Sequence, residues 1–95
     1  MENNIFNLKN YATETSIPII SDEGMDFILE YIKHNDVNFI LEIGTAIGYS
    51  SIRFAKSNPN IRVFTIEYDI IRYQEAIKNV NNFNLGHQIT VFLGD

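Results

Sequence analysis

Glu42, Gly44, Gly48, Ser50 and Ser51 fall within one short stretch, ILEIGTAIGYSS, residues 40–51. An apolar run that ends on a carboxylate and then breaks into glycines brings three kinds of chemistry together. A glycine directly after a strand lets the backbone turn tightly and approach a ligand with no Cβ in the way. A helix opening near Gly48-Tyr49-Ser50 presents free N–H groups and a positive dipole end to an anion, and Ser50 or Ser51 adds a hydroxyl. Glu42 stands opposite and suits a cationic group. An acid beside an anion site describes a receptor for a zwitterion, such as an amino-acid moiety.

Two more acids fall at comparable places. Glu67 closes RVFTIE about 20 residues past the glycine loop, where an acid commonly takes both hydroxyls of a ribose. Asp95 follows VFLG, and a carboxylate there accepts a hydrogen bond from the exocyclic amine of a base. Amino acid, ribose and adenine at three successive strand ends describe S-adenosylmethionine. Each feature alone also has a plain structural reading, with Glu42 capping a turn and Gly44 and Gly48 as turn glycines. Their joint placement favours the ligand. A dinucleotide site is the nearest competitor, but its G-x-G-x-x-G would need glycine at Ala46 and Tyr49. His34 at a helix end and His87 in a turn read as dipole-compensating or solvated, with no carboxylate or cysteine at ligand spacing. Tyr11, Tyr31 and Tyr73 read as half-buried packing residues.

The elements that must position these groups follow from periodicity. Asn3 to Tyr11 reads as a short, weak helix, and SIPII around Pro18 as an extended connector. From Asp22 the apolar residues Met25, Ile28, Leu29 and Ile32 recur at i, i+3, i+4, i+7, a helix ending near His34. Phe39 to Ile43 is apolar except at Glu42, the pattern of a strand covered on both faces. Tyr49 to Lys56 reads as a helix stopped by SNPN, and Arg62 to Ile66 as a second strand. Asp69 reads as an N-cap, with Ile70, Tyr73, Ile77 and Val80 marking the buried face of the next helix. Ile89 to Leu93 is the third strand. Strands separated by single helices imply an α/β, Rossmann-like parallel sheet with right-handed crossovers.

Composition agrees with one small domain. Across 95 residues, 45% are hydrophobic, enough to build a core, and the absence of cysteine fits a reducing, cytoplasmic setting. The first 20 residues lack the apolar core of a signal peptide, and no stretch approaches a membrane span. Seven basic residues are scattered among twelve acids for a net charge of −5, which leaves no basic face for nucleic acid.

The stretches ILEIGTAIGYSSIRFA, VFTIEYD and ITVFLGD together resemble the cation-dependent class I O-methyltransferases, the group containing the catechol and caffeoyl-CoA enzymes. Within that group they resemble the bacterial branch that methylates 5-hydroxyuridine at the tRNA wobble position, and IPII before the long helix also fits that branch. The resemblance implies that Gly44 lines the methionine portion of S-adenosylmethionine and that Ser50 hydrogen-bonds its end. It places Glu42 near the amino group, Glu67 on the ribose, Asp95 beside adenine and Ile20 against the cofactor. Ala46 stands where the general methyltransferase pattern has a middle glycine, a replacement common in this family.

In the family a divalent cation such as magnesium is held by carboxylates and an asparagine that follow the third strand. Residues 1–95 contain no such set. The resemblance therefore implies the N-terminal, β-α-β-α-β portion of a class I methyltransferase domain, with its C-terminal half outside this chain. The parent enzyme would methylate a hydroxyl of tRNA 5-hydroxyuridine or of a small hydroxylated molecule, and this chain alone would be inactive. A non-catalytic fragment that binds a nucleoside ligand or a partner, and an NAD-binding oxidoreductase fragment, are the alternatives. In the family's fold the first strand lies mid-sheet, so FILEI is expected as an open apolar edge prone to self-association, a homodimer included.

Overall fold

The computed structural model describes residues 4–95. Its elements run α1 (Ile5–Glu14), α2 (Asp22–His34), β1 (Phe39–Ile43), α3 (Tyr49–Ser57), β2 (Arg62–Glu67), α4 (Ile70–Asn82) and β3 (Ile89–Leu93). The α/β, Rossmann-like architecture is the expected one. Three of the four helices start on a side-chain cap that satisfies free N–H groups of the first turn. Asn4 accepts from Asn7 N–H, Ser21 from Gly24 N–H, and Asp69 from Ile71 and Arg72 N–H. The fourth, α3, follows Gly48 at φ +91° and has no side-chain cap hydrogen bond.

The sheet is parallel with strand order β1-β2-β3. Consecutive parallel strands joined by right-handed crossovers place both crossover helices on one side. Accordingly α3 and α4 pack over β2 and β3, while α1 and α2 pack on α3. The inner sheet face buries Val63, Thr65, Glu67, Ile89 and Val91. Against it lie Ile47, Tyr49, Ile52, Ala55, Ala76 and Val80, and Met25 and Ile32 close the core from α2. Gln88 is buried where α3 ends, its amide donating to the carbonyls of Ala55, Asn58 and Ile61 at 2.9, 3.0 and 3.1 Å. The Ala55 carbonyl would otherwise be orphaned, because Pro59 at i+4 has no N–H, whereas the Asn58 and Ile61 carbonyls also accept from Ile61 N–H and the Arg62 guanidinium.

Several expectations need correction. The strand β1 is not covered on both faces: Phe39, Leu41 and Ile43 are 72, 72 and 76% exposed. With both crossovers on one side, the other face carries no helix among the described residues. Phe39, Phe64 and Phe92 stack across that face with ring centroids 6.4 Å apart at each step. Helix α1 runs on to Glu14, with Thr15 as its C-cap, and Asn3 lies outside the described residues. In α4 the buried positions are Ala76 and Val80, whereas Ile70 at the first turn is exposed. Tyr11 and Tyr31 are exposed rather than half-buried, and only Tyr73 of the three is partly buried. His34 does have a carboxylate neighbour, Glu30 one helical turn back, 3.0 Å from Nε2. No described helix is long and apolar enough to cross a membrane.

Candidate functional site

The carboxyl ends of β1 and β2 meet the start of α3, and the polar groups there are all tied together. The strand register pairs Glu42 with Thr65, so the two side chains leave the same inner face side by side. Thr65 Oγ1 donates to Glu42 Oε1 at 2.8 Å, and Ser51 Oγ donates to the same oxygen. Ser50 Oγ donates to the other oxygen, Oε2. Thr45 Oγ1 lies 2.6 Å from Thr65 Oγ1. Glu42 thus sits at the first turn of α3, held by three hydroxyls, where a negative charge meets the positive dipole end.

After β1 the chain turns on Gly44 at φ +90°, a left-handed conformation that favours glycine, and a Cβ there would meet nothing within 4 Å. The N–H groups of Gly44 and Thr45 both reach the Ile66 carbonyl, at 2.8 and 3.2 Å. Ala46 is also left-handed, at φ +51°, and this aims its N–H at Glu67 Oε1, 2.7 Å away. Glu67 Oε2 accepts from Asp69 N–H at 3.1 Å. A carboxylate 5% exposed is therefore held by one backbone amide on each oxygen, with lone pairs left over for further donors.

A cleft of about 180 Å³ opens over this turn, lined by Pro18, Ile20, Gly44, Ala46, Tyr49 and Ser50 among others. Ile20, Gly44 and Ser50 are thus brought together, and Glu42 joins them through its bond to Ser50. Glu67 stands at the next strand end and reaches the cleft through Ala46. Asp95 is exposed beyond β3 and does not line the cleft. The ends of β2 and β3 are nevertheless tied, because Gly94 N–H donates to the Glu67 carbonyl at 2.9 Å. A larger hollow of about 660 Å³ lies beside Lys33, Asp36, Asn38, Asn58 and Asn60, at the amino ends of β1 and β2. In open parallel sheets ligands bind at the carboxyl ends, so the smaller cleft is the candidate. Among the described residues no group of three or more His, Cys, Asp and Glu side chains can hold a metal ion.

Thr65, Thr45 and Ala46 escaped the sequence-based search for ligand groups. Thr65 is one alternating residue in an apolar strand, and only the inter-strand register sets it against Glu42. The spacing of Ala46 in the glycine pattern was a usable sign of left-handed backbone at that position.

No protein-family model matches the chain. A catechol O-methyltransferase of Niastella koreensis is 41% identical over 89 residues, which cover 90% of this chain and 40% of that protein. Among solved structures, a proposed caffeoyl-CoA O-methyltransferase from Staphylococcus aureus superposes with a TM-score of 0.94 at 37% identity, over 97% of this chain and 44% of that one. An O-methyltransferase of Bacillus cereus in complex with SAH superposes with a TM-score of 0.83 at 24% identity, over all of this chain and 44% of that one, a likeness of fold. The chain spans less than half the length of each of these relatives. The fold is that of the N-terminal, Rossmann-like portion of the class I O-methyltransferases. Within that class its sequence is similar to the catechol and caffeoyl-CoA type.

Proposed function

We propose that this chain is the S-adenosylmethionine-binding part of an O-methyltransferase. One observation carries the reading: Ile20, Gly44 and Ser50 line a single cleft at the strands' carboxyl edge, with Glu42 hydrogen-bonded to Ser50. When bound, S-adenosylmethionine supplies an electrophilic methyl group on its sulfonium sulfur. The first-turn N–H groups of α3 take its carboxylate and Glu42 takes its ammonium. Gly44 lets the methionine chain run close to the backbone, and Ile20 closes the cleft from the connector. The spare lone pairs of Glu67 accept the ribose hydroxyls, and Asp95 accepts from the adenine amine.

The acceptor in this reading is a hydroxyl. A small hydroxylated molecule suits this chain better than tRNA 5-hydroxyuridine, because a net charge of −5 repels phosphate. A divalent cation belongs to the same proposal only through the family resemblance. The described residues have no ligand set for it.

Titration calorimetry with S-adenosylhomocysteine and, separately, NAD is the test. Saturable binding of the first and none of the second is expected. Binding of NAD alone would replace this reading with the oxidoreductase one. Incubation with S-adenosylmethionine, magnesium and catechol is expected to give no methylated product from this chain alone.

A further inference from the structure

The two oxygens of Glu42 are treated differently by the protein. Oε1 accepts from Thr65 and Ser51, both 0% exposed and so unable to touch a ligand. Oε2 accepts from Ser50, which lines the cleft. The buried hydroxyls also have a fixed direction. A carboxylate only accepts, so the single proton of Thr65 is committed to Glu42, and Thr45 must be the donor across its 2.6 Å contact with Thr65. The result is a one-way chain, Thr45 to Thr65 to Glu42. It starts in the glycine loop and ends on the acid that faces α3.

We infer that Thr65 and Ser51 are positioning residues: from wholly buried sites they fix one oxygen of Glu42, so that the other is presented beside Ser50 to the amine of an amino-acid-bearing nucleoside. The inference rests on the functional reading above. It adds a specificity that the reading alone does not require, since the buried hydroxyls govern recognition of the amino-acid end and leave the ribose and base contacts untouched. Purely structural hydroxyls would lower stability and affect every ligand alike.

The experiment compares two probes on the 95-residue chain by calorimetry. S-adenosylhomocysteine carries the amino-acid end, whereas methylthioadenosine keeps ribose and base and lacks it. Thr65→Val is nearly isosteric and removes only the hydroxyl. It is expected to weaken S-adenosylhomocysteine roughly five- to tenfold, the scale of one ordinary intramolecular hydrogen bond. Methylthioadenosine affinity should stay unchanged, and Thr65→Ser should restore the first ligand. Ser51→Ala, a substitution that a helix accepts readily, should show the same selective loss even if Thr65→Val does not fold. S-adenosylhomocysteine affinity unchanged from that of the unsubstituted chain in both variants, or parallel losses for both probes, would overturn the inference while leaving the functional reading intact. Failure of the unsubstituted chain to bind either nucleoside would remove the functional reading, and the inference with it.

Discussion

At Ala46 the backbone takes φ +51° although its methyl group disfavours that region, and the N–H so aimed closes a 2.7 Å hydrogen bond on Glu67. Ala46→Gly should relieve the strain and raise unfolding free energy in urea by about 0.5–1 kcal/mol, after glycine's extra chain entropy is set against it. Gly44→Ala is the opposite case. At φ +90° the new methyl meets no clash in space, so the net cost of about 0.5–1 kcal/mol is backbone strain less the chain entropy that alanine gives back. Glu67→Ala should cost about 1–3 kcal/mol of stability, because the N–H groups of Ala46 and Asp69 both lose their acceptor in a buried setting. Under the proposed function it also weakens S-adenosylhomocysteine by a similar amount, measured by calorimetry on the folded fraction. Glu42, Gly44, Ser50 and Glu67 were legible as candidates because each is an unusual residue for its place in an apolar pattern. Thr65 was not, since threonine is ordinary in a strand and its meaning comes from a neighbour 23 positions away.

Secondary structure was the more readable level. The spans of α2, β1 and β3 and the cap at Asp69 agree with the periodicity, because helix and strand patterns are local. The end of α1 was less readable, because no proline or glycine stops the helix at Tyr11. Gln88 had no sequence signal at all, yet it joins the end of α3 to the start of β3. Gln88→Leu should lower the melting temperature through a loss of about 1–3 kcal/mol, as the buried Ala55 carbonyl loses its donor. Tyr11 joins α1 to α4 by donating to Glu75 at 2.8 Å, and that bond raises its pKa above the ordinary 10.0. A raised folded-state value means that the stabilisation is complete below pH 10.0 and is lost as pH rises through the folded value. The stability difference between the unsubstituted chain and Tyr11→Phe should therefore shrink as pH rises from 10.0 through the raised folded value in denaturant titrations.

The molecule as a whole has one dressed face and one bare one. Among the described residues all four helices stack on one side of a three-stranded sheet, and Phe39, Leu41, Ile43 and Phe92 stand exposed on the other. Contiguous apolar surface of this kind drives association, and β1 adds an edge with no strand partner among the described residues. Sedimentation should show mass rising with concentration, and Leu41→Lys should shift it toward monomer. A monomer at all concentrations in the unsubstituted chain would show that the face is tolerated in water.

By itself the sequence determined the order and type of the elements, the parallel sheet and the chemical groups at the strand ends. These follow from the residue period and from the few polar residues that interrupt it, both of which are local. Only the tertiary structure decided which of those groups meet. Pairing Glu42 with Thr65 needs the strand register, and placing Ser50 and Ser51 on its two oxygens needs the docking of α3. The bare sheet face was decided there too, because its exposure depends on both crossovers passing on one side, and no window of residues along the chain records that.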